Sequence, residues 1–233
     1  MDKVLLRDLP SLYGIQNIQE LNRLFQVLAF NTGQEVSLEG LSQNSGVAKN
    51  TIQRYLTYLE TAFLIHRLRR VDDTARRFVR QRGFKVYLTN TSMRAALFSP
   101  LEGSHPGFGA LAETAVFCQW LHSPTLRHLY YARWAGGEVD AVMLKPPATR
   151  PRWAYDVKWS DHHVSRLEEL RPMLDFAVRN RLRTVGVTTR TKAGIFPTDL
   201  LGTELRIFPL ALHCYALGLL SARDPEALGS FLQ

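Results

Sequence analysis

The stretch Trp153-Ala154-Tyr155-Asp156-Val157-Lys158-Trp159-Ser160 decides how the second half of this chain folds, because its side chains alternate with the two-residue period of a β-strand. Trp153, Tyr155, Val157 and Trp159 share one face. Ala154, Asp156, Lys158 and Ser160 share the other, so a carboxylate and an ammonium point the same way with their heads close enough to serve one ligand. An accidental ion pair predicts the same geometry.

Working outward, Leu126 to Arg133 and Glu138 to Leu144 read as two strands joined by the turn Ala135-Gly136-Gly137. Alternation puts Asp140, Val142 and Leu144 on one side, so a lone carboxylate heads a row that is otherwise apolar. Such a carboxylate needs a partner or a cation. A third acid is Glu113, the only formally charged residue between Glu102 and Arg127. Its segment, Phe108 to Leu121, is apolar nearly all round and reads as a buried helix. Buried glutamates are rare unless paired or ligating. An ion pair with Lys158 or an arginine, or a carboxylate favoured at a helix start, accounts for Glu113 equally well. Together Glu113, Asp140, Asp156 and Lys158 have the composition that metal-dependent phosphodiester cleavage needs: acids for a hard divalent cation and a lysine to orient water or meet phosphate charge.

The order of a helical glutamate, a strand aspartate and then Asp156-Val157-Lys158 resembles the PD-(D/E)XK superfamily, the restriction-endonuclease-like fold shared with archaeal Holliday-junction resolvases. The resemblance implies a divalent-metal-dependent DNA nuclease, or a module derived from one, with Glu113, Asp140, Asp156 and Lys158 as its catalytic set. It makes Asp140 and Asp156 inner ligands of Mg2+ or Mn2+, Glu113 an outer ligand, and Lys158 the assistant of the attacking water. Arg166 is a weak candidate for the polar helical residue that sometimes completes such sites.

A wider resemblance covers almost the whole chain. The succession Lys3-Val-Leu-Leu-Arg-Asp-Leu-Pro10, a helix, a helix-turn-helix, Lys85-Val-Tyr-Leu-Thr-Asn90, Glu113, Gly137-Glu-Val-Asp140 and Asp156-Val-Lys158 is similar to the C-terminal region of a large prokaryotic AAA+ ATPase family. There a winged helix and a nuclease-like module follow the ATP-binding core. Asn90 stands where that family carries aspartate, and Asp156 where glutamate is commoner. No Gly-x-x-x-x-Gly-Lys-Ser/Thr loop occurs, so this chain has no ATP site of that kind, and an AAA+ core would act in cis or in trans.

In the N-terminal half, Ile18, Leu21, Leu24, Phe25 and Leu28 recur at helical spacing and predict a helix from Ile18 to Phe30. Ser37 can cap a short helix through Asn44, Ser45-Gly46 turns the chain, and Ala48 to Thr61 forms a second helix, which is helix-turn-helix spacing. Ile52, Tyr55, Leu56, Leu59 and Phe63 supply its packing stripe. Lys49, Asn50, Gln53 and Arg54 are left near its start, where such helices meet the major groove, although a solvated face predicts the same pattern. Phe63 to Leu68 and Lys85 to Leu88 then read as wing strands. Around them lie Arg67, Arg69, Arg70, Arg76, Arg77, Arg80, Arg82 and Lys85, a run that would track a phosphate backbone or simply coat a loop.

At 233 residues and 45% hydrophobic content the chain can hold two modest cores. The turn-rich Gly103 to Gly109 separates the halves, with a boundary near Pro100: a winged-helix domain over 1–100 and a nuclease-like domain over 101–233. The expected class is therefore α/β (α+β), a winged helix-turn-helix followed by a restriction-endonuclease-like mixed sheet flanked by helices. Net charge is +8 and pI about 9.8, which favours an acidic partner such as DNA. Fourteen Lys and Arg oppose eight Asp and Glu in residues 1–100, against fifteen and thirteen afterwards, so the excess sits in the first half. Cys118 and Cys214 are too few for a disulfide framework, and no apolar run reaches a membrane span. No secretory pattern opens the chain, and a cytoplasmic location is expected.

Beyond the Asp156 strand, Ser165-Arg-Leu-Glu168 is a capping-box pattern opening a helix with Leu167, Leu170 and Leu174 inward, which Pro172 should kink. Arg183 to Thr189 and Glu204 to Phe208 read as strands, and Leu210 to Leu220 as a helix. Ser160, His162 and His163 lie near the proposed site, where they would touch phosphate or water or merely end a strand. Two functions compete with the nuclease: a non-catalytic DNA- or partner-binding domain of an AAA+ ATPase, and a winged-helix transcription regulator with an appended sensing domain.

Overall fold

A computed structural model describes residues 1–76, 83–121, 128–144, 150–198 and 203–223. The chain divides into two compact units, one of Met1–Leu68 with Gln81–Thr114 and the other of Arg69–Arg80 with Ala115–Gln233. The expected boundary near Pro100 falls inside the first unit, which continues to Thr114.

The first unit begins with a helical turn at Val4–Asp8, α1 (Leu9–Tyr13) and α2 (Ile18–Phe30). Asn17 caps α2 by accepting the Glu20 amide, and Leu21, Leu24, Phe25 and Leu28 are fully buried along its inner face. β1 (Glu35–Ser37) leads into α3 (Leu38–Ser45), α4 (Lys49–Thr61), β2 (Ile65–Val71), β3 (Gly83–Leu88) and α5 (Ser92–Phe98). The Ser37 hydroxyl accepts the Gly40 amide to start α3, and Gly46, at φ 71°, stops it in the left-handed conformation that a side chain disfavours. Ile52, Tyr55, Leu56 and Leu59 of α4 close over the same core. β1, too short to show alternation in sequence, pairs antiparallel with β3, which also neighbours β2.

In the second unit the C-terminal part of α6 (Phe108–Trp120) is followed by β4 (Leu129–Trp134), β5 (Gly137–Leu144), β6 (Pro151–Asp156), α7 (Arg171–Asn180), β7 (Thr184–Thr189), β8 (Gly194–Pro197), β9 (Glu204–Pro209) and α8 (Leu210–Arg223). The strand order β2-β4-β5-β6-β7-β9-β8 makes a large mixed sheet. β4, β5 and β6 run antiparallel, and β7 lies parallel to both β6 and β9. Met173, Leu174, Phe176 and Ala177 of α7 pack on one face against Val142, Leu144, Ala154, Val185 and Val187. On the other face Trp153 and Tyr155 meet Trp120 and His213, so the alternation read from β6 holds through Asp156.

Three expectations need correction. β6 ends at Asp156 and does not run to Ser160, for a reason given below. Ser165 does not cap a helix; its hydroxyl donates to the His162 carbonyl, and a short 3-10 turn at Leu167–Leu170 precedes α7. Pro172 then sits in the first turn of α7, where its missing N–H is harmless, so it starts the helix and does not kink it. β8, an edge strand of four residues, has no signal in the sequence.

Tyr155 crosses β7 at Gly186, where a Cβ would stand 2.4 Å from the ring carbon Cδ2. The ring cannot give way because it is fully buried and stacked on His213 at 4.6 Å. Gly186→Ala is therefore expected to lower stability by about 1–3 kcal/mol, read as a lower urea midpoint. An unchanged midpoint would show that the β6–β7 contact is looser than described.

Candidate functional site

Antiparallel pairing of β5 with β6 sets Ala141 opposite Tyr155 and so brings Asp140 and Asp156 to the same end of the sheet. Both follow the rows that pack under α7: Asp140 heads Val142 and Leu144, and Asp156 continues from Ala154. The acids are 6% and 4% exposed. Backbone amides hold them. The Asp140 N–H donates to Asp156 Oδ1 at 3.3 Å, and the Val157 N–H donates to Asp140 Oδ2 at 2.9 Å.

Lys158 completes the group from outside the strand. Its N–H donates to the Thr188 hydroxyl at 2.8 Å, and that hydroxyl donates to the Lys158 carbonyl at 3.1 Å. One buried side chain of β7 thus takes the place of ladder bonds, while Asp140 takes the Val157 amide, and regular pairing stops at Asp156. The Lys158 ammonium lies 2.7 Å from Asp156 Oδ2 and 3.9 Å from Asp140 Oδ2, and its side chain is 31% exposed. The ammonium is the solvent-facing member of the trio.

Burial pushes the Asp156 carboxyl up to about 7; the Lys158 charge pulls it back and the Asp140 charge raises it again. Two buried acids side by side within 4 Å of one ammonium repel each other, and protonation or a divalent cation would relieve that repulsion. The donor set suits a hard cation such as Mg2+ or Mn2+, with Asp140 and Asp156 as its holders. Among the described residues no group of three His, Cys, Asp or Glu side chains is placed to hold a metal ion.

At the rim, Glu169 gathers His162 Nε2 at 2.8 Å, His163 Nδ1 at 3.0 Å and Arg166 at 3.6 Å. The His162 amide donates to the Ser160 hydroxyl. Burial, then the nearby Lys158 charge, holds His163 below the ordinary imidazole value. His162 and His163, expected to touch phosphate or water or to end the strand, and Arg166, the weak candidate for a polar helical residue, are thus tied to one acid.

Glu113 belongs to the first unit. Its Oε1 accepts from Lys85 Nζ at 2.9 Å and from the Tyr87 hydroxyl at 2.5 Å, all three side chains being buried. The carboxylate is an ion-paired one, with Lys85 in the place the sequence suggested for Lys158 or an arginine. Alternation along β3 was the available signal: Lys85 and Tyr87 share a face, and Glu113 was the lone acid needing a partner.

This pairing also removes Lys85, 3% exposed, from the basic run that reads in sequence as a phosphate track or a loop coat. Arg67 is tied to Glu60, and the Arg70 Nε donates to the Arg133 carbonyl at 3.1 Å. Arg76 is exposed, whereas Arg77, Arg80 and Arg82 lie outside the described residues. At the start of α4, Asn50, Gln53 and Arg54 are exposed as expected, and Lys49 is paired with Glu39. No helix among the described residues is long and apolar enough to cross a membrane.

Comparison with known proteins matches residues 1–103 to a family described as a domain of unknown function, DUF8612. The match includes neither Asp140 nor Asp156. No curated protein and no solved structure matches the chain.

Two outcomes follow from the charges. A carboxyl raised on folding adds stability at low pH that is lost as pH rises from about 4 through 7, so wild type in metal-free buffer should weaken across that window. Asp156→Asn should remove the decline, its advantage over wild type growing by on the order of 2–4 kcal/mol between pH 4 and 8 in urea titrations. A pH-independent difference would contradict the buried acid. Glu113→Ala should cost about 3–5 kcal/mol because Lys85 is left charged and buried, whereas an effect below about 1 kcal/mol would contradict that pair.

Proposed function

We propose that this chain is a divalent-metal-dependent nuclease-type module that acts on DNA phosphodiesters. The observation that carries the proposal is the meeting of Asp140, Asp156 and Lys158, two buried acids under one partly exposed ammonium within 4 Å of both. A bound Mg2+ or Mn2+ would supply Lewis-acid polarisation of a phosphoryl oxygen. Asp140 and Asp156 would hold it, their carboxylates oriented by the Val157 and Asp140 amides. Lys158, the most exposed of the three, would meet the charge that develops on the phosphate or orient the attacking water.

The mixed sheet flanked by helices, with this trio at one end of β5 and β6, supports the resemblance to the restriction-endonuclease-like fold. The succession α2, α3, α4 with β1, β2 and β3 supports a winged helix presenting Asn50, Gln53 and Arg54 to DNA. A non-catalytic DNA- or partner-binding domain working with an AAA+ ATPase core is the second reading. It is favoured by Glu113, whose engagement with Lys85 and Tyr87 leaves two acids where the superfamily pattern has three.

Nicking of supercoiled plasmid separates the two readings. The nuclease reading expects Mg2+- or Mn2+-dependent nicking that falls roughly 100-fold or more in Asp140→Ala and in Lys158→Ala. Plasmid bound but uncut by wild type, with either metal, would contradict it and support the binding domain.

A further inference from the structure

We propose that the second unit carries a separate, cationic site for the phosphodiester groups of a nucleic-acid strand, formed by Arg76, Arg150, Arg179 and Arg181. With Thr74 and Asn180 these line a depression of about 460 Å³. None of these described lining residues is acidic. The site lies beyond the function proposed above and does not depend on it: β5 and β6 set Leu144 opposite Pro151, so Arg150 stands at the end of β6 away from Asp156. At about 3.3 Å per strand residue, the two ends of β6 are roughly 17–20 Å apart.

The depression is built by anchored backbone. Asp72 Oδ1 accepts from the Thr74 N–H at 2.9 Å, the Thr74 hydroxyl at 2.8 Å and the Arg76 N–H at 2.9 Å, and Ala75, buried at φ 59°, pins the same turn into the core under α7. Arg76 therefore projects from a fixed turn. Across from it the buried Asn180 amide donates to the Asp73 carbonyl and to the Phe176 carbonyl, both at 2.9 Å, joining that turn to the end of α7. Asp73 also pairs with Arg179. Arg181 ends α7 at φ 58°, a left-handed position where glycine is the ordinary resident. Ala75 and Arg181, two of the chain's four described non-glycine residues at positive φ, thus flank one depression.

The charge at this place is in excess of what the fold needs. The negative end of the α7 dipole accounts for Arg179 and Arg181, but not for Arg76 or Arg150, which arrive from separate segments. Among the described residues Asp73 meets Arg179 alone, so four exposed guanidiniums gathered round one depression exceed the one carboxylate paired there, and their planar forks match phosphate oxygens two at a time. Because they enter from three segments around an open, exposed depression, they suit successive phosphates along a strand better than one enclosed small anion.

Fluorescence anisotropy of a labelled oligonucleotide, single-stranded and duplex, titrated with the full chain in EDTA tests this without reference to cleavage. Arg150→Gln and Arg181→Gln should each weaken binding about 3–10-fold and lower the salt slope by about 1, while Arg171→Gln, on the first turn of α7, leaves both unchanged. Wild-type affinity and slope in both variants would overturn the proposal. So would inorganic pyrophosphate stabilising wild type but not the doubly substituted chain while oligonucleotide affinity stays equal, since the site would then hold a free anion. Wild type that binds but never nicks, with Arg150→Gln and Arg181→Gln weakening the binding, would contradict the nuclease and support this site.

Discussion

Two carboxylates, Asp140 and Asp156, are kept out of water at the end of a β-hairpin and a following strand, and the arrangement of the second unit depends on how that charge is met. The Val157 and Asp140 amides and the Lys158 ammonium meet part of it. Each provider needs a different piece of the fold. The amide of Val157 is free to turn toward Asp140 because Thr188 of β7 takes over the backbone of Lys158, and Thr188 is in place because Gly186 lets Tyr155 of β6 lie close across β7. An acid pushed up to about 7 in this setting is unfavourable for stability at neutral pH.

The first unit answers the same physical problem differently. Glu113 is also buried, but Lys85 and Tyr87 from one face of β3 saturate it, and Lys85 is itself almost inaccessible. A closed pair of this kind leaves no charge for a ligand to supply. The contrast between one ion-paired carboxylate and two buried acids side by side, one of them pushed up to about 7, is the reason to seek chemistry at Asp140 and Asp156.

The parts legible in the sequence were those with strong periodicity. α2 emerges with the predicted bounds, and β5 and β6 carry the expected faces up to Asp156, because apolar spacing reports burial directly. The halt at Asp156 was not legible, since it depends on Thr188, thirty positions beyond Lys158, whose hydroxyl replaces ladder bonds. Pro172 reads in sequence as a kink because its place in the first turn depends on where α7 starts. β1 and β8 are too short to alternate detectably. The trio Asp140, Asp156 and Lys158 was legible from strand order and alternation, whereas the partner of Glu113 was hidden in a run of basic residues that reads as uniform surface. Lys85 is buried, Arg67 is paired, and Arg76 joins arginines from distant segments, so one run in sequence has three fates in space.

The most direct test of the central claim is Mn2+ titration of the chain followed by electron paramagnetic resonance of the free ion. Binding at pH 8 should be tight relative to pH 6, where a proton competes for Asp156, and should be lost in both Asp140→Asn and Asp156→Asn. Absence of binding at pH 8, or binding that survives both substitutions, would contradict the assignment of these acids as a cation site.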